Sequence, residues 1–170
     1  MNLARVIVKD ERDRDVELAT LWRDKPAVLV FMRHFGCIHC RDHVADLLRA
    51  RPTISTAGAE IFLIGNGSPS FIDGFRDQTG WSGAVYTDPS LAAYRAAELV
   101  RSVGATLDPR SLGKAARALF RGQRQGSTQG DQWQQGGVVV VDTAGTVRWH
   151  HASSRPGDNA SAAQILAALA

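Results

Sequence analysis

Cysteine is scarce in this chain: its 170 residues include only two, Cys37 and Cys40. Two cysteines build no disulfide framework, and at three positions apart they point to redox chemistry or a metal clip instead of stapling. Long apolar runs are missing as well. No segment approaches the 18 consecutive apolar residues of a membrane-spanning helix, and residues Met1 to Asp15 are charged throughout, with no secretory-type apolar stretch. No membrane partner is expected, and the expected location is the cytoplasm, where a dithiol stays reduced until it is used. Lysine is rare too, at 3 residues beside 17 arginines. The net charge is +3 and its excess concentrates between Arg101 and Arg124. No nucleic-acid motif accompanies that excess, so no nucleic-acid partner is expected. Internal repeats and signs of a second domain are absent, which makes residues 1–170 one expected domain.

What is present reads as α/β. Arg5 to Lys9, a charged turn at Asp10 to Asp15 and an apolar restart at Val16 predict an N-terminal hairpin. After Pro26, the run from Ala27 to Met32 is continuously apolar and predicts a central strand covered on both faces. A helical pattern follows from Cys37 to Arg51. Ala59 to Ile64 is a second buried strand. Ser68 and Pro69 are suited to cap and start a helix with Phe71, Ile72 and Phe75 on one face and Gly80 at its end. Ala84 to Thr87 is a third strand, and Asp88-Pro89-Ser90 opens a helix to about Glu98. This alternation predicts a parallel sheet with crossover helices. An insertion at about 99–136 interrupts it. Within it, Pro109 to Arg121 predicts an amphipathic helix with Leu112, Ala116, Leu119 and Phe120 on one side and Lys114, Arg117 and Arg121 on the other. Gly122 to Gly137 holds five glycines and six glutamines and predicts a mobile loop. Gly137 to Asp142 and Val147 to His151 form a final strand pair, and Ala160 to Leu169 a last helix.

The dithiol sits where the first central strand hands over to a helix. A helix N-terminus offers unpaired N–H groups and a partial positive charge, both of which favour a thiolate. Cys40, Val44, Leu47 and Leu48 share the face that packs on the sheet, so Cys40 is the expected buried sulfur and Cys37 the expected exposed one. Cys37 then attacks and Cys40 resolves. His39 between them stabilises a thiolate when protonated, and Arg33 and Arg41 bracket the motif with permanent charge.

The stretch from Leu29 to Arg41, together with Ile64-Gly65-Asn66-Gly67, Tyr86-Thr87-Asp88-Pro89, Leu91 to Arg95 and Gln134-Gln135-Gly136-Gly137, resembles the peroxiredoxin-like branch of the alkyl hydroperoxide reductase/thiol-specific antioxidant superfamily. The resemblance implies a thioredoxin-like fold, a mixed central sheet flanked by helices, and a thiol oxidoreductase with no cofactor. Its partners would be a small oxidised substrate (a peroxide, endoperoxide or disulfide) and an external thiol, thioredoxin-like or of low molecular weight. One animal branch is associated with prostaglandin endoperoxides. A homodimer is left open. Laid on the peroxiredoxin pattern, Arg33 stands for the usual proline, Cys37 for the threonine and Cys40 for the attacking cysteine. That register makes Cys40 the nucleophile, so both assignments stay open. Gly136 and Gly137 occupy the place of the proline that faces the dithiol in thioredoxin.

The alternative is a metal carrier, with Cys37, Cys40, His34 and His43 as zinc or copper ligands and one of His150 and His151 as a distant one. Gly65 and Gly67 fit an ordinary strand-to-helix turn better than a phosphate cradle. Trp81 is expected to close a corner. Trp133 lies in the polar loop, so residues 122–137 form a candidate lid over the dithiol, with Trp133 and Arg121 or Arg124 touching substrate.

Overall fold

The computed structural model describes residues 1–106, 110–122 and 126–170. The expected helix start at Pro109, the side chains of Leu112 and Lys114, and Arg124 lie outside the described residues.

Seven strands form one mixed sheet in the order β2-β1-β5-β4-β3-β6-β7. The hairpin is β1 (Ile7–Lys9) and β2 (Asp15–Glu17). Parallel β3 (Ala27–Phe31), β4 (Glu60–Gly65) and β5 (Val85–Thr87) make the middle. Antiparallel β6 (Gly137–Val141) and β7 (Val147–Ala152) complete the side next to β3. Every residue of β3 and β6 is buried, as their unbroken apolar runs require. Alternation along β3 sends Val28 and Val30 into one core and Leu29 and Phe31 into the other. The first core is covered by α1 (Ile38–Thr56), α2 (Ile72–Thr79) and α6 (Ala162–Leu169), through Val44, Leu47, Phe75 and Ile165. The second is covered by the N-terminal segment and α3 (Ala92–Ala96).

Three elements differ from expectation. α1 runs past Arg51, with Pro52 inside it. Proline costs a helix interior about 3 kcal/mol, and the full burial of Ile54 beyond it, worth about 1.5–3 kcal/mol, offsets most of that. α3 begins late because the Asp88 carboxylate accepts from the Ser90 and Ala93 N–H groups at 3.0 and 2.6 Å, making 88–90 a turn. The helix α5 (Arg110–Phe120) presents the opposite side from the one expected. Ala118 is buried, whereas Leu119 and Phe120 are 56% and 94% exposed. Arg121 explains the rotation: it pairs with Asp42 and Asp46 of α1 at 2.7 and 2.6 Å, drawing the side it shares with Ala118 onto that helix. A short α4 (Val103–Thr106) precedes it.

Candidate active site

The site is built from the chain between β3 and α1. Met32 extends the β3–β4 pairing by donating its N–H to the Ile64 carbonyl at 2.8 Å. The buried Tyr94 hydroxyl holds the same edge, donating to the carbonyls of Met32 and Ile64 at 2.6 and 2.9 Å. The chain then turns through Arg33 to Gly36 and enters α1 with Cys37 as its N-cap, in extended backbone. Cys40 lies one turn in.

The two cysteines lie 3.4 Å apart. The Cys40 thiol donates a hydrogen bond to the Cys37 sulfur, which is the largest influence holding Cys37 well below the ordinary thiol range; the positive charges of Arg33 and His34 add to it. The same bond raises Cys40 well above that range, and burial adds to it. Arg33 grips both sulfurs. Its backbone N–H donates to Cys40 Sγ at 3.2 Å and its Nη1 to Cys37 Sγ at 3.6 Å. Arg41 is buried beside the pair, and loss of hydration lowers its pKa, with both cysteines acting in the opposite sense.

Burial reverses the expected order. Cys37 is 1% exposed and Cys40 6%. The cause is tertiary: residues 126–136 form a strap across the N-terminal end of α1. The Gly126 N–H donates to the Gly36 carbonyl at 2.9 Å, and Arg33 Nη2 to the Gln132 carbonyl at 2.7 Å. Buried Asn66 clamps Asp131 from both sides, accepting from its N–H at 3.0 Å and donating to its carbonyl at 3.2 Å. Gly36 and Gly67 leave no room for a Cβ, which would meet the Ser127 and Gln129 carbonyls. Composition predicts mobility for this polar segment; hydrogen bonds to the strand-end loops fix it.

The remaining expected residues separate. Gly136 lines the same narrow cleft as Cys40, and a Cβ there would strike the Phe31 carbonyl. Gly137 pairs with Phe31 in the sheet and is structural. Trp133 is half-buried in the strap and lines neither cavity near the dithiol. Arg121 is engaged with α1, and His39 lines those cavities. The histidine whose charge acts on Cys37 is His34. It is buried, burial lowers its pKa, and its Nδ1 has no hydrogen-bond partner among the described residues. His43 turns away, with Nε2 on the Ala160 carbonyl at 2.9 Å. Among the described residues no three His, Cys, Asp or Glu side chains group to hold a metal. Trp81 closes its corner, fully buried under Arg51. Sequence reading missed Asn66 and Tyr94 as supports, although both fall in the segments that carry the resemblance. It also missed Arg155, which carries no sequence signal and lines the cleft at Cys40.

The model of the AhpC/TSA antioxidant enzyme family matches residues 46–154. A chloroplastic thioredoxin-like protein of Arabidopsis thaliana is 32% identical over 98% of this chain and 71% of its own. A prostamide/prostaglandin F synthase of Salmo salar is 32% identical over 96% of this chain and 84% of its own. Among solved structures, Xanthomonas campestris peroxiredoxin Q superposes with a TM-score of 0.70 at 16% identity, covering 98% of this chain and 90% of that one, a thioredoxin-like fold.

Proposed function

The chain belongs to the AhpC/TSA antioxidant enzyme family and is a thiol-dependent oxidoreductase, and from that premise we propose that Cys37 and Cys40 reduce the O–O bond of a small hydroperoxide or endoperoxide. The observation that carries the reading is the 3.4 Å contact between the two cysteines, with the negative charge favoured on Cys37. The Cys37 thiolate attacks one peroxide oxygen. An S–O bond forms, the O–O bond breaks, and the alkoxide leaves and takes a proton to become the alcohol. Cys40 then attacks the Cys37 sulfenic acid. The S–S bond forms at about 2.0 Å, and the hydroxyl leaves as water with the Cys40 proton. For a hydroperoxide, two thiol hydrogens and one peroxide yield a disulfide, an alcohol and water. For an endoperoxide, Cys37 carries a sulfenate ester instead of the sulfenic acid, Cys40 displaces its alkoxide, and the products are a disulfide and a diol. A thiol reductant returns the dithiol. Arg33 holds the thiolate by charge, and Arg41 adds to the positive surroundings. A substrate reaches Cys37 when the strap of residues 126–132 moves off it, which gives that segment the role of a lid. A reducing compartment such as the cytoplasm suits a dithiol that is regenerated at every turnover.

The test is intact mass before and after one equivalent of cumene hydroperoxide. Loss of two hydrogens, together with sulfenic-acid labelling at Cys37 in the Cys40→Ser protein, is the expected result. Labelling confined to the Cys37→Ser protein would assign the attack to Cys40, the alternative that the peroxiredoxin register implies.

A further inference from the structure

A cavity of about 630 Å³ lies between α1, α5 and the start of α6. That size lies within the range of small-molecule sites, about 300–1,000 Å³, and far exceeds what a peroxide group needs. It adjoins a narrow cleft of about 10 Å³ that Cys40 helps to line, space for about one water molecule. His39, His43, Gly157 and Asn159 line both, so the two share a wall. Asn159 latches that wall, donating to the His39 carbonyl at 3.2 Å. Cys37 lines neither space.

The charges on the cavity do not balance. Asp42 and Asp46 take Arg121 at 2.7 and 2.6 Å, and Arg49 also pairs with Asp46. Two carboxylates thus meet two guanidinium groups. Arg117, on the same lining, has no ion-pair partner among the described residues and leaves one positive charge in excess. Leu47, Ala50 and Ala160 supply apolar wall.

We infer that this cavity receives the reductant, a low-molecular-weight thiol bearing a carboxylate, whose thiolate attacks Cys40 and not Cys37. The inference rests on the Cys37–Cys40 disulfide proposed above. The carboxylate sits at Arg117, and the –CH₂–S arm passes the Asn159 latch. The new S–S bond forms between the incoming sulfur and Cys40 Sγ, and the protein S–S bond breaks. Cys37 leaves as the thiolate that Arg33 stabilises, and a disulfide is cleaved most readily when its better-stabilised sulfur departs. A second thiol attacks the reductant's sulfur, releasing the small disulfide and Cys40, which takes up a proton. A folded protein reductant does not fit a space of this size.

The experiment takes the full chain, oxidised with one equivalent of hydroperoxide, and reduces it with glutathione (anionic) or cysteamine (cationic). Rapid quenching with an alkylating reagent and peptide mapping locate the intermediate. Glutathione on Cys40 with alkylated Cys37 is expected, as is a fall of at least about fivefold in the glutathione-to-cysteamine rate ratio in Arg117→Glu. Glutathione on Cys37, or an unchanged ratio, overturns the inference. If hydroperoxide forms no disulfide, the underlying peroxide reading falls instead; the disulfide is then made with diamide and the same two readouts decide the cavity's role.

Discussion

Arg33 and Cys37 meet side chain to side chain, the Nη1 of one donating to the sulfur of the other at 3.6 Å, although three residues of turning chain separate them. The positive charge of the guanidinium favours the Cys37 thiolate over the thiol. Arg33→Met is expected to raise the Cys37 pKa. Ultraviolet titration of the thiolate in the Cys40→Ser background measures it directly. An unmoved titration would remove Arg33 from the list of stabilising groups.

Asn66 spends both ends of its amide on the strap and its neighbours, donating also to the Arg33 carbonyl at 2.6 Å. Asn66→Ala removes the three hydrogen bonds that its amide makes to Arg33 and Asp131, a loss of about 1–3 kcal/mol. The melting temperature should fall. Alkylation of Cys37 under native conditions should quicken, because the strap opens more often. Slower or unchanged alkylation would argue that the strap is not the barrier to access.

His43 gives a pH dependence with a definite sign. Burial brings its pKa from 6.5 down to about 4, the Ala160 bond opposing. The unfolded chain therefore takes up a proton at His43 before the folded chain does. The contribution of this group is fully present above pH 6.5 and is lost as pH falls from 6.5 toward about 4. The loss from this group is roughly 3 kcal/mol. Urea unfolding of the native chain and His43→Gln across that interval measures it. The variant, which retains a donor for Ala160, should show the smaller slope.

Two glycines make a matched pair. A Cβ at Gly136 collides with the Phe31 carbonyl, whereas one at Gly74, within α2, meets nothing within 4 Å. Gly136→Ala is expected to cost about 1–3 kcal/mol. Gly74→Ala should add about 0.4–1 kcal/mol by stiffening the unfolded chain. Denaturation midpoints of the two variants should move in opposite directions.

Much of the fold was legible because it depends on local pattern. The unbroken run from Ala27 to Met32 could only be a covered strand. Ser68 caps the turn at Pro69 and Gly80 ends α2 in left-handed backbone at φ 70°, as those residue types favour. The errors fall where a distant partner overrules periodicity. Leu119 and Phe120 satisfy a helical apolar face, yet Arg121 has two carboxylates available on α1 and turns α5 the other way.

The sequence alone determined that this is an α/β domain with two cysteines spaced to bond, set where a strand becomes a helix. Those features follow from neighbours a few positions apart. The tertiary structure decided that both sulfurs are covered and which groups surround them, because Arg33, His34, Asn66 and the strap meet the dithiol only after the chain folds. Electrostatics and access act through space at a few ångströms, and linear spacing does not record the distances between segments nearly a hundred residues apart.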